Sequence, residues 1–107
     1  MKLLFVITLG AGHPAHKIAA ALISEASRSG DEVLAVYFTK DACAICSSYP
    51  GPSSELYTSC RQGQLPLLVC SRAMHEHHVN EVHESFTVTG NTELIKLIEQ
   101  SDRVVQF

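Results

Sequence analysis

The chain has no long apolar run at its start: Leu3, Leu4, Phe5, Val6 and Ile7 stand alone between Lys2 and Thr8. That is far short of a membrane span and weak as a secretory signal, so the sequence is read as that of a cytoplasmic protein. Clustered charge is missing as well. Eight Lys and Arg face eleven Asp and Glu, for a net charge of -3, and neither sign gathers into a basic face that could grip a nucleic-acid backbone. Any connection with RNA is expected to be indirect. With 107 residues there is room for one ordinary domain, 1–107, and none for a two-lobed enzyme with its cleft between domains. Internal repeats, low-complexity tracts and linkers are absent. Gly10-Ala11-Gly12 is half of a dinucleotide fingerprint, but position 15 is Ala and the second apolar run does not end in an acidic residue. No P-loop, paired carboxylates or Ser/His/Asp order can be read.

What the chain does have is enough apolar side chain to fold: 46% hydrophobic residues against 18% charged. Leu3 to Leu9 is continuously apolar apart from Thr8, as a strand covered on both faces requires. A helix follows from Pro14, with Ile18, Leu22 and Ala26 as its stripe, Ala19 and Ile23 beside them, and Gly30 as its stop. Glu32 to Phe38 is a second strand, which completes a right-handed βαβ unit. From Thr39 to Ser54 the sequence turns to Cys, Ser, Pro and Gly and predicts a structureless, functional loop. A short helix over Ser54 to Gln62, a strand over Leu65 to Cys70, and a helix over Ser71 to His78 come next. Phe86 to Thr89 is a brief β segment. A last helix is capped by Asn91 or Thr92 and buries Leu94, Ile95, Leu97 and Ile98, and Asp102 to Phe107 is a terminal strand. The pattern predicts a three-layer α/β/α sandwich with a mainly parallel sheet of four or five strands.

The chemistry of the chain lies in its four cysteines, Cys43, Cys46, Cys60 and Cys70. In a reducing compartment these are thiols with a task or buried side chains rather than disulfides. Cys70 closes a strand and opens a helix, at the carboxyl edge where parallel sheets bind ligands. Unpaired N–H groups there, and Arg72 two residues on, would favour its thiolate, the form that attacks electrophilic sulfur. By position alone it also fits an ordinary buried cysteine at the end of a core strand. Cys43-Ala44-Ile45-Cys46 is a CxxC, a spacing used in dithiol redox chemistry and in half of a zinc site. Pro50, Gly51 and Pro52 follow too closely for the long helix that a thioredoxin-like motif begins. His75 and His78 share a helical face, but their distance from Cys46 is wrong for a zinc finger; with His77 they read as a solvated polar face, and no metal site is assigned.

Several segments together resemble the DsrE/TusD sulfur-carrier family, most closely its TusD branch. They are the first strand with its Gly turn and Ala-rich helix, Val36-Tyr37-Phe38, Leu68-Val69-Cys70, Phe86-Thr87-Val88-Thr89-Gly90 and the closing Asp102-Arg103-Val104-Val105-Gln106-Phe107. The resemblance implies a subunit of a small homo- or hetero-oligomer in which Cys70 takes up sulfane sulfur as a persulfide from a donor protein and passes it to an acceptor thiol. Neither a metal nor an organic cofactor is required. In the TusD branch such a relay ends in 2-thiouridine at the tRNA wobble position; in the DsrE branch it serves dissimilatory sulfur oxidation. Arg72, Cys43 and Cys46 are then auxiliary candidates, with the Thr39 to Ser54 loop as a lid over Cys70. The Cys43/Cys46 pair is not part of the resemblance. The competing readings are a dithiol oxidoreductase using that pair and a noncatalytic scaffold subunit.

Overall fold

The computed structural model describes residues 1–48, 51–52 and 54–107. The first apolar run becomes β1 (Lys2–Ile7), buried at every residue after Lys2. It lies between β2 (Glu32–Phe38) and β5 (Arg103–Gln106), and the sheet continues from β2 through β3 (Leu67–Cys70) to β4 (Thr87–Thr89). Every strand pairing is parallel, so the α/β class and the parallel sheet expected from the sequence are what the chain forms. The helices are α1 (Ala15–Arg28), α2 (Glu55–Gln62), α3 (Ser71–Glu76) and α4 (Asn91–Gln100). From β1 to β4 each step moves the same way across the sheet, whereas β5 returns to the far side of β1. Right-handed crossovers therefore send α1 and α2 to one face and α4 to the other. Accordingly α1 packs on α2, and α4 lies over β1 and β2.

Register decides which side chains share a face. Tyr37 pairs with Leu68, and Cys70 with Thr89. Because side chains alternate along a strand, Tyr37, Cys70 and Thr89 all stand on the α4 face at the carboxyl edge of the sheet. Phe38 points to the opposite face, where its ring meets Phe86 edge-on at 5.4 Å and Phe86 stacks on Tyr57 of α2 at 5.8 Å. Ser54 holds α2 in place by accepting a hydrogen bond from the Tyr57 N–H at 3.1 Å.

Four expectations are corrected. On α1 the buried residues are His16, Ala19, Ala20, Ile23 and Ala26, while Ile18 and Leu22 are 59% and 44% exposed. The buried face thus combines small alanines with Ile23, and Ile18 and Leu22 lie on its flank. His16 is fixed to the end of β1 by a 2.7 Å hydrogen bond between Nε2 and the Leu9 carbonyl. On α4 only Leu97 is buried; Leu94 is partly covered, and Ile95 and Ile98 face outward. Its cap is Gly90, with no side-chain hydrogen bond, in place of Asn91 or Thr92. The stretch after β2 is not structureless but opens with a 3-10 helix, Lys40–Cys46, burying Ala42, Cys43, Ile45 and Cys46. Its three-residue period is not the 3.6-residue pattern by which helices are recognised in a sequence. Pro50, expected to help break this stretch, lies outside the described residues.

Phe86, 7% exposed, joins β2, α2 and the chain entering β4. Phe86→Ala is expected to lower unfolding stability by about 3 kcal/mol, measured by urea denaturation, while Ile18→Ala on the exposed flank of α1 should change it by less than about 0.5 kcal/mol.

Candidate thiol site

Cys70 is the last residue of β3 and the cap residue of α3, with extended backbone angles, φ -70° and ψ 121°. It is 8% exposed and opens onto a cleft of about 280 Å³ that Thr39, Lys40, Arg72, Glu76 and Asn91 also line. A larger hollow of about 600 Å³ beside α4, lined by Leu68, Thr87, Thr89 and Glu93 among others, contains no thiol.

Burial alone would push the Cys70 thiol up. It is outweighed by the Ala73 N–H, the Tyr37 and Thr39 hydroxyls and the Arg72 N–H, which together hold the thiol below its ordinary value of 9.0. Each donor has a structural origin. The two N–H groups belong to the first turn of α3, whose amides have no partner within the helix. Thr39 precedes the 3-10 helix and makes no side-chain capping bond to it, which leaves its hydroxyl for the sulfur. Tyr37 reaches Cys70 diagonally from the neighbouring strand. The sulfur closes no capping hydrogen bond of ordinary geometry. Tyr37 Oη and Thr89 Oγ1 are likewise sealed from solvent without an ordinary hydrogen-bond partner among the described residues. The effect of these groups on the sulfur is therefore that of oriented dipoles at its rim, and the Tyr37 hydroxyl, raised by burial and by Cys70, stays protonated and able to donate.

The other thiols are different. Burial, and then the charge of Cys70, raises Cys43; burial, and then Cys43, raises Cys46; burial pushes Cys60 up to about 12. All four cysteines are free thiols. Arg72 acts on Cys70 through its main chain, since its guanidinium is 80% exposed and its Nε donates to Glu76 Oε1 at 3.1 Å. In the histidine cluster, His77 Nε2 lies 3.7 Å from Asp41 Oδ1. Among the described residues no group of three or more His, Cys, Asp or Glu is placed to hold a metal ion, and no helix is long and apolar enough to cross a membrane.

Nothing local in the sequence marks Tyr37, Thr39 and Thr89 as site residues. Tyr37 occurs in a motif of the family resemblance, but its relation to Cys70 depends on the register of three strands, which no local pattern encodes.

An open parallel sheet with a thiol held below its ordinary pKa at its carboxyl edge defines a small α/β protein with one distinctive cysteine. The family model described as the DsrE/DsrF-like family matches residues 1–107, and the chain belongs to that family. The family is linked to sulfur relay and sulfur transfer. Among solved structures, the crystal structure of the ychN protein from E. coli superposes with a TM-score of 0.72 at 14% sequence identity, covering 100% of each chain. At that identity the likeness concerns the fold. No curated protein matches the chain significantly.

A lowered thiol pKa means that the thiolate is present above that pKa and lost as pH falls through it. Alkylation of Cys70 by iodoacetamide is expected to reach half its maximal rate below pH 9.0, with Cys46 and Cys60 unreactive in the folded chain. Tyr37→Phe and Thr39→Val should each move the midpoint upward; peptide mapping after timed labelling across pH reads both effects.

Proposed function

We propose that this chain is a sulfur-relay carrier that receives sulfane sulfur on Cys70 and passes it to the thiol of an acceptor protein. The observation that carries this reading is that Cys70 alone among the four cysteines both opens onto a cleft and has surroundings that favour its thiolate. In the first step the Cys70 thiolate attacks the terminal sulfur of a donor persulfide. The donor S–S bond breaks, the donor cysteine leaves as a thiolate, and Cys70 holds the sulfur as Cys70-S-SH. In the second step an acceptor thiolate attacks that terminal sulfur, and Cys70 departs as the thiolate that its donors already favour. A low pKa thus serves both attack and departure.

The resemblance, most specific from Ser85 to Phe107, is closest to the TusD branch, and we take the relay to end in 2-thiolation of the tRNA wobble uridine. With a net charge of -3 and no basic cluster, the chain would reach RNA only through its acceptor protein. Homologous subunits are the other partners proposed: Ile95, Ile98 and Val104 are exposed on α4 and β5, an apolar surface that an oligomer would cover. The dithiol alternative requires a low-pKa thiol at Cys43 or Cys46, whereas burial raises both.

After incubation with a persulfidated donor protein, the parent should gain one sulfur atom by intact mass and Cys70→Ser none. Equal uptake by the two would refute the mechanism. Light scattering in reducing buffer should give a mass well above 11.7 kDa; a monomer at micromolar concentration, alone and with candidate partner subunits, would remove the oligomer from the proposal.

A further inference from the structure

The carrier mechanism uses one thiol and leaves three fully buried ones, of which two lie on the element beside it. Cys43 and Cys46 stand three residues apart on the 3-10 helix, where a three-residue turn stacks their side chains on one inward face. Both have no solvent exposure. The helix packs against β3 and α3, the two elements that Cys70 joins, and Thr39, the residue before it, acts on the Cys70 sulfur. Cys43 lies within electrostatic reach of Cys70, and Cys46 of Cys43. The 3-10 helix thus carries two buried thiols against the two elements that meet at Cys70. Cys60, on α2, has no such coupling to them.

The 3-10 helix is also held by weaker backbone hydrogen bonding than an α-helix would be. Seven residues is long for the weaker i to i+3 hydrogen bonding, and its first residue, Lys40, is held at a φ of 52°, in the left-handed region.

We propose that Cys43 is a resolving thiol for the Cys70 persulfide, attacking Cys70 Sγ when no acceptor arrives and releasing the carried sulfur as sulfide. The inference rests on the sulfur-carrier reading. As the Cys43 Sγ to Cys70 Sγ bond forms, the bond from Cys70 Sγ to the outer sulfur breaks. That sulfur takes the electron pair and leaves as hydrosulfide, with the Cys43 proton completing hydrogen sulfide. The sulfane sulfur is the oxidant and is reduced; the two cysteines are oxidised to a disulfide, so no external oxidant enters. A dithiol reductant restores the carrier. Burial keeps Cys43 protonated and its attack slow, which leaves time for an acceptor thiolate to arrive first.

The test loads the full-length protein with inorganic polysulfide, removes the excess and follows intact mass and released sulfide without an acceptor. The parent is expected to gain one sulfur, then lose it as a species two hydrogens lighter than the reduced chain accumulates, with a Cys43 to Cys70 cross-link in the peptide map. Cys43→Ser and Cys43→Ala should each hold the persulfide at least about tenfold longer, and Cys60→Ala should decay like the parent. The cross-link is read in the parent itself, so the prediction stands even if a buried substitution unfolds the chain. A persulfide that forms and decays equally in the parent and the Cys43 variants, or a cross-link between Cys43 and Cys46 instead, overturns this inference alone. A chain that never gains sulfur overturns the carrier reading and this inference with it.

Discussion

A thiolate at the rim of an apolar core is costly unless donors surround it, and the elements around Cys70 are placed so that each supplies one. β3 ends where the first amides of α3 have no helical partner. β2 carries Tyr37 on the same face, one diagonal away, and then runs into Thr39, whose hydroxyl is not engaged in capping the 3-10 helix. These placements depend on one fact, the in-register parallel pairing of β2, β3 and β4. A slip of one residue in β2 would turn Tyr37 to the opposite face and bring Phe38 beside the sulfur. The site is thus a property of the sheet rather than of any motif.

This explains what could and could not be read from the sequence. The run from Leu3 to Ile7 signals a doubly covered strand because burial on both faces leaves no polar alternation, and the βαβ rhythm that follows fixes the fold class. Cys70 is legible as a candidate because its address, a strand end that starts a helix, is local. Tyr37, Thr39 and Thr89 are not, since what unites them is register across strands separated by long stretches of chain. On α1 the expected Ala19, Ile23 and Ala26 are buried, whereas Ile18 and Leu22, at the edge of the same apolar spacing, stay exposed, a rotation of a fraction of a turn that periodicity alone does not fix. The 3-10 helix escaped because its buried pattern repeats every three residues.

The asymmetry of the crossovers also shapes the surface. On one face α1 and α2 pack together, while on the other α4 lies over β1 and β2. β3 and β4 are left open on the α4 side, where Leu68 and Thr89 line the hollow beside that helix. The Cys70 cleft is also lined by Asn91, at the start of α4, the helix that borders the hollow.

The pairing of β1 with β5 carries a cost of another kind. Leu3 meets Arg103, and the Lys2 carbonyl accepts from the Asp102 N–H at 2.7 Å, so nearly the whole chain must be in place before this ladder can close. A chain emerging from the ribosome presents β1 to β4 first, with one side of β1 an open, apolar, parallel edge until β5 appears. Such an edge invites strands of other nascent chains. Loop closure over about a hundred residues is slow relative to local contacts. The β5 strand therefore acts as a closing seal, and until it pairs the free edge of β1 is the part of the sheet most open to aggregation.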